Sequence, residues 1–154
     1  MITLAFITEL FYEVDEQLRT LPKHPEAHLW PSEIVTLGLL HALKGVGNRA
    51  FYRWLTRDYR PLFPQLPERT RLLRLLKTHQ DWARTFLAAP TVLGVIDTYG
   101  IELIHLKKVM HRGWAYFQAR LAFTMAAFNV LVQWHGLRPY TSGFVPLSIA
   151  EFSL

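Results

Sequence analysis

The feature that most restricts the fold of this chain is a 17-residue stretch, 121–137, that contains no Asp, Glu, Lys or Arg. It lies in a proline-free run that predicts one long helix over 108–136. A helix without charge on any side is typical of a helix buried between layers, or of one in a membrane. Its short length and its polar Asn129, Gln133 and His135 argue against a membrane span. We therefore expect a buried helix, and the absence of cysteine fits a cytoplasmic protein without disulfides or thiolate metal sites.

The N-terminal half of the chain has the periodicity of helices. Apolar residues recur at steps of three and four, Pro31 marks a helix start, and Gly45 and Gly47 mark a helix end. These signals predict four helices, over 3–21, 32–44, 48–59 and 68–87. We expect residues 1–88 to form a helical N-terminal region.

Charge is unevenly distributed along the chain. The net charge of +5 divides into −4 for residues 1–43, +7 for 44–84 and +2 for 85–154. A basic block with interleaved aromatic residues has the chemistry of a surface that contacts nucleic-acid phosphates, although arginines on a solvated helix face are also common. The candidate DNA-binding residues are Arg49, Arg53, Arg57, Arg60, Arg69, Arg71, Arg74 and Lys77.

After Pro90 the pattern changes to that of a strand. Residues 91–97 form a β-branched run, and 101–105 alternate between apolar and polar after a turn, which predicts a strand and a possible hairpin partner. The fold class predicted from sequence is therefore mainly α with one short strand or β-hairpin. No predicted sheet is large enough to cover the uncharged helix, so a part of the expected architecture is missing.

Six segments resemble the DDE transposases encoded by bacterial insertion sequences. In that family a hydrophobic strand ends in a catalytic aspartate, as the strand here ends in Asp97. The segments that carry the resemblance are Gly94–Thr98, Ser32–Leu37, Gly45–Tyr59, Arg69–Leu75, His105–Arg112 and Arg120–Asn129. They belong to two blocks, and the resemblance extends over nearly all of the chain.

The resemblance implies a ribonuclease-H-like domain in which two Asp and one Glu hold two Mg²⁺ ions against a phosphodiester. Asp97 matches the first of these carboxylates and is thus the one catalytic and metal-binding candidate. The later acids, Glu102 and Glu151, do not stand in the family's glutamate context. The resemblance therefore implies an internal deletion between about Ile104 and Lys107, a remnant catalytic domain over 89–154, and no productive Mg²⁺ binding.

Three functions remain open at this point. The first is a truncated, catalytically inactive DDE transposase. The second is a non-enzymatic DNA-binding regulator of transposition, in which residues 31–60 form helix-turn-helix-like elements. The third and least favoured is a membrane-associated helical protein. The expected partners are DNA, and either a full-length transposase or a second copy of the chain.

Other residue patterns favour structural roles. Asp97 is also a common residue at a turn, Glu102 is explained as a solvated strand residue, and Pro25 prevents a helical pairing of His24 with His28. Because the family packs the last helix against a sheet that is missing here, we expect a marginal fold. The last helix then either repacks on the N-terminal helices or drives self-association. The side chains concerned are Leu121, Phe123, Met125, Phe128, Val130, Leu131 and Trp134.

Overall fold

The computed structural model describes residues 2–87 and 114–134, which are mainly α-helical. The predicted mainly α class is thus confirmed for these residues. The predicted strand over 91–97 and its hairpin, with Asp97, Glu102 and the proposed junction near 104–107, lie outside the described residues. The helices are α1 (Leu4–Leu18), α2 (Pro31–Lys44), α3 (Asn48–Asp58), α4 (Arg69–Thr78) and α5 (Trp114–Trp134), with 3₁₀ helices over Arg60–Leu62 and Gln80–Phe86.

The helix ends follow from local chemistry. The Thr3 hydroxyl accepts a hydrogen bond from the Phe6 N–H at 3.2 Å and caps α1. The Glu33 carboxylate accepts a hydrogen bond from the Trp30 N–H at 2.7 Å where α2 begins. Gly45 ends α2 with a φ of 63°, a left-handed conformation that glycine adopts without a Cβ clash.

The most completely buried helix is α2, which occupies the centre of the described structure. It packs against α1 on one side and α5 on another, and also contacts α3, α4 and the second 3₁₀ helix. Ten of its residues are buried: Pro31, Ser32, Ile34, Val35, Thr36, Leu37, Gly38, Leu39, Leu40 and Leu43. The element that is buried on nearly every side is therefore α2.

A close contact between α2 and α5 lies at Gly38. The ring of Phe123 lies where a Cβ on Gly38 would be, so a Cβ at this position would overlap the ring carbons Cδ1, Cε1 and Cζ. Phe123 is buried in this contact. The missing side chain at position 38 is what allows the two helix axes to come together.

Three further contacts fix α5 along its length. Near its start the Lys77 ammonium lies over the Tyr116 ring, 5.2 Å from the ring centroid. Towards its end the Asn129 amide donates a hydrogen bond to the Phe86 carbonyl at 3.0 Å. At its last residue, Trp134 meets Phe6 of α1 edge to face, with ring centroids 5.5 Å apart.

The prediction of one continuous helix over 68–87 is wrong. Instead, α4 ends at Thr78, and a 3₁₀ helix follows over Gln80–Phe86. In this second segment the residues that turn inward, Gln80, Ala83 and Phe86, recur every three residues, which is the period of a 3₁₀ helix and not of an α-helix. The change of pitch begins where the Trp82 N–H binds the His79 carbonyl at 3.1 Å.

The uncharged stretch is expected to be buried between layers, but its described part, 121–134, is fully buried along one stripe only, and Met125 is exposed at 39%. Trp114 and Tyr116, which precede this stretch in α5, are exposed at 63% and 40%. By length and composition α5 could cross a membrane, a test that core helices of soluble proteins also pass. The buried stripe consists of Ala119, Phe123, Ala126, Ala127, Val130 and Leu131.

The described helix has thus repacked on the N-terminal helices, which is one of the two arrangements expected. Of the seven large side chains considered, three are buried and three are half-buried, whereas Met125 is exposed. The predicted ends at 108–113 and 135–136 lie outside the described residues.

A histidine is enclosed between the helices. The His41 ring lies against the Phe51 ring, with centroids 4.6 Å apart, and its Nε2 is buried without a hydrogen-bond partner among the described residues. The pKa of His41 is lowered to about 4, mainly by burial and also by the positive charge of Arg120, although a hydrogen bond with the Val46 backbone offsets part of the shift. His41 is therefore neutral at pH 7.

Gly38→Ala tests the α2–α5 contact. Alanine favours a helix interior over glycine by about 0.5–1 kcal/mol, so a gain in stability is expected if the site has room. Because the added methyl group overlaps the Phe123 ring, we expect instead a loss of about 1–3 kcal/mol in the free energy of unfolding. Urea denaturation followed by far-UV circular dichroism measures this difference.

The matched control is the same substitution in a Phe123→Leu background. Leucine lacks the Cε1 and Cζ atoms that the added methyl group meets, so Gly38→Ala should lose most of its cost there. An equal cost in both backgrounds would show that the ring does not set the approach of the two helices.

The pKa of His41 predicts a pH dependence of stability. The folded-state pKa lies below the ordinary histidine value of 6.5, so the unfolded chain binds the proton more tightly. Stability should be full above pH 6.5, fall as the pH drops from 6.5 to about 4, and level off below that, a total of roughly 3 kcal/mol for this group. His41→Phe should flatten this slope in urea denaturation, whereas His28→Gln, at an exposed histidine, should leave it unchanged.

Candidate nucleic-acid interface

Three arginines form one row along the exposed face of α3. Arg49, Arg53 and Arg57 are spaced four residues apart, a spacing that places side chains on the same face of a helix, and all three are exposed. Phe51 and Leu55 lie on the opposite face and are completely buried. Burial of these two side chains therefore turns the arginine row towards solvent.

The connection between α2 and α3 is a tight turn of three residues, Gly45, Val46 and Gly47. Two helices joined by a turn of three or four residues that contains glycine are typical of helix-turn-helix motifs. The two helices and the short turn within 31–60 are compatible with the helix-turn-helix-like interpretation, which stays a prediction. In DNA-binding helix-turn-helix motifs the second helix is the one that enters the groove.

A second basic row lies on α4. Arg71, Arg74 and Lys77 recur every three residues on the face opposite the buried Leu72 and Leu76. Arg71 and Arg74 are exposed, whereas Lys77 is half-buried beneath its contact with α5. Because α3 and α4 contact each other, the two basic rows belong to one folded unit.

The other two predicted residues lie at helix starts. Arg60 begins the first 3₁₀ helix and is exposed, whereas Arg69 begins α4 and is half-buried. The Tyr52 hydroxyl, which donates a hydrogen bond to the Pro67 carbonyl at 3.0 Å, joins α3 to the segment before α4. The eight predicted residues are thus distributed over two connected helices and their linker.

Arg57 already has an anionic partner. Its guanidinium donates two hydrogen bonds to the Asp58 carboxylate, at 2.6 and 2.7 Å. This pairing lowers the pKa of Asp58 and raises that of Arg57. Since both side chains are exposed, the pair contributes little to stability, but it neutralises one end of the α3 row.

The charge segregation of the sequence is retained in the fold. Exposed Glu9, Asp15 and Glu16 lie on α1, whereas the basic rows lie on α3 and α4. A polyanion would therefore be attracted to the α3–α4 side of the structure and repelled by α1.

Within residues 2–87 and 114–134, no group of three or more His, Asp or Glu side chains could hold a metal ion. Asp97, the catalytic and Mg²⁺-binding candidate, lies outside the described residues. The Mg²⁺ ions that the resemblance implies would thus be held by residues outside the described part of the chain.

The sequence did not reveal a cavity of about 140 Å³ between the loop that precedes α2, the helix α4 and the second 3₁₀ helix. The His79 and Trp82 rings in its lining are stacked, with centroids 4.0 Å apart and planes 16° from parallel. Burial lowers the pKa of His79, which favours its neutral form. Its lining includes His24, His28, Arg71, Leu75, His79 and Trp82.

No protein-family model, no curated protein and no solved structure matches this chain. Function is therefore inferred from the surfaces of the described helices together with the sequence motifs.

Proposed function

We propose that this chain is a DNA-binding protein that derives from a DDE transposase and has lost its catalytic activity. The observation that carries the proposal is the row of Arg49, Arg53 and Arg57 on the exposed face of α3, directly after a glycine turn. Guanidinium groups at this spacing contact phosphates along a DNA groove. The fold of the chain supplies a rigid helix pair that holds the row in place.

Contacts with the core determine which face of α3 is available to DNA. Phe51 and Leu55 bind α3 to the other helices, and the Tyr59 hydroxyl donates a hydrogen bond to the Ile2 carbonyl at 2.9 Å. With its inner face and its end fixed, α3 does not have to become ordered on binding, which lowers the entropic cost of association.

The transposase origin is supported by the sequence segments that resemble that family. In this proposal residues 89–154 derive from its ribonuclease-H-like domain, and Asp97 is the remaining first carboxylate. One carboxylate cannot hold two Mg²⁺ ions in register, so neither DNA cleavage nor strand transfer is part of the function.

The function that remains is recognition of DNA in the cytoplasm of the host cell. A protein that binds the same DNA ends as an intact transposase would compete with it, and so regulate transposition. Pairing of this chain with a full-length transposase would form a mixed complex and have the same effect. Self-association is the other pairing that we expect. Regulation of transposition is thus a consequence of DNA binding and not a separate function.

Arg53→Gln tests the α3 row. Each phosphate contact contributes about −0.9 to the slope of log affinity against log salt concentration. We expect the variant to bind duplex DNA more weakly than the unmodified protein, with a slope less steep by about 0.9. Fluorescence anisotropy with a labelled duplex, at several salt concentrations from about 50 to 200 mM, measures both quantities.

The matched control is Arg19→Gln. It removes the same charge from an exposed arginine, but at the end of the acidic helix α1, where Arg19 pairs with Glu16. It should leave the salt slope unchanged. Equal effects of the two variants would mean that affinity depends on net charge alone and would contradict a specific role for α3.

The purified protein should not nick supercoiled plasmid DNA in the presence of Mg²⁺ or Mn²⁺. The physical reason is that Asp97 lacks the second aspartate and the glutamate that complete a two-metal site. Gel electrophoresis of the plasmid after incubation measures nicking. Metal-dependent nicking that disappears in Asp97→Ala would refute the proposed loss of catalysis.

A further inference from the structure

The cavity beside α4 has the volume and chemistry of a site for one planar ring. Its volume of about 140 Å³ is close to that of cavities of roughly 150 Å³ that hold a benzene molecule. A single six-membered ring fits such a space, whereas the double ring of a purine is larger. The lining is mostly apolar, which favours the faces of an aromatic ring over a charged group.

The lining also provides a surface on which a ring can stack. The His79 and Trp82 rings are nearly parallel and both belong to the cavity wall. Aromatic side chains of this kind stack on unpaired nucleic-acid bases. His79 in its neutral form presents a ring without a net charge to such a base.

Arg71 connects the cavity to the basic surface. It lines the cavity and also belongs to the exposed row on α4 with Arg74. A ligand with an aromatic ring joined to a phosphate would therefore place the ring in the cavity and the phosphate at Arg71. A nucleotide has these two parts, joined through a sugar.

We propose that the cavity receives one unpaired pyrimidine base of a DNA strand that α3 and α4 contact. This inference rests on the proposed DNA binding and adds the kind of DNA that is preferred. A paired base would have to leave the helix stack at a cost of a few kcal/mol, so the preference is for a base that is already unpaired.

Three duplexes of otherwise identical sequence test the proposal: one fully paired, one with a single unpaired thymine, and one with an abasic site in place of that thymine. The last two share the same bulged backbone and differ in the base alone. We expect the thymine duplex to bind roughly five- to a hundredfold more tightly than the abasic duplex, in anisotropy titrations of the whole chain.

Trp82→Leu should abolish this difference while the fully paired duplex still binds. His79→Leu provides a second variant, in case loss of Trp82 unfolds the chain, as a thermal melt would show. Trp114→Leu is the matched control, because Trp114 is 63% exposed and does not line the cavity. It should retain the preference for the unpaired thymine.

Equal binding of the thymine and abasic duplexes, or a preference that survives in both cavity variants, would overturn the inference. If all three duplexes bind equally well, the cavity proposal fails and the proposed DNA binding stands. If none of them binds at about 50 mM salt, both proposals fail.

Discussion

The contact on which the rest of the structure depends is that between Gly38 and the Phe123 ring. A side chain at position 38 would separate α2 from α5, and α2 needs that cover because it is apolar on nearly every side. His41 lies one turn further along α2, where the charge of Arg120 on α5 lowers its pKa. A wider gap at Gly38 would admit water to both positions and remove the desolvation that keeps His41 neutral.

The same central helix determines which side of α3 is available to a ligand. Because the three-residue turn after α2 is short, α3 must pack close to the helix that precedes it, and the Phe51 ring lies against His41 of α2. Phe51 and Leu55 are both completely buried. The arginine row is then exposed as the opposite face of the same helix. The burial of the apolar residues of α3 and the exposure of its arginines thus follow from the same helical periodicity.

Sequence patterns predicted the features that depend on neighbours along the chain. Pro31 and Gly45 mark the ends of α2, and the four-residue spacing of the α3 arginines places them on one face. The patterns failed where distant segments meet. The 3₁₀ helix after Thr78 and the cavity beside α4 depend on contacts with α5 and with the loop before α2, and periodicity does not identify which element covers an apolar face.

The difference between features set by neighbouring residues and features set by distant contacts matters most for α5. The proposed transposase origin implies a sheet beneath this helix, whereas the described part of α5 packs on α2, α4 and the second 3₁₀ helix. Its buried stripe covers one side, and Met125 remains exposed on another. Among the described residues α5 therefore retains apolar surface, a property that favours association with a second molecule. The one-sided packing of α5 and its capacity for association thus depend on the same feature, which is a helix with too few charged residues to divide it into a buried and a solvated face.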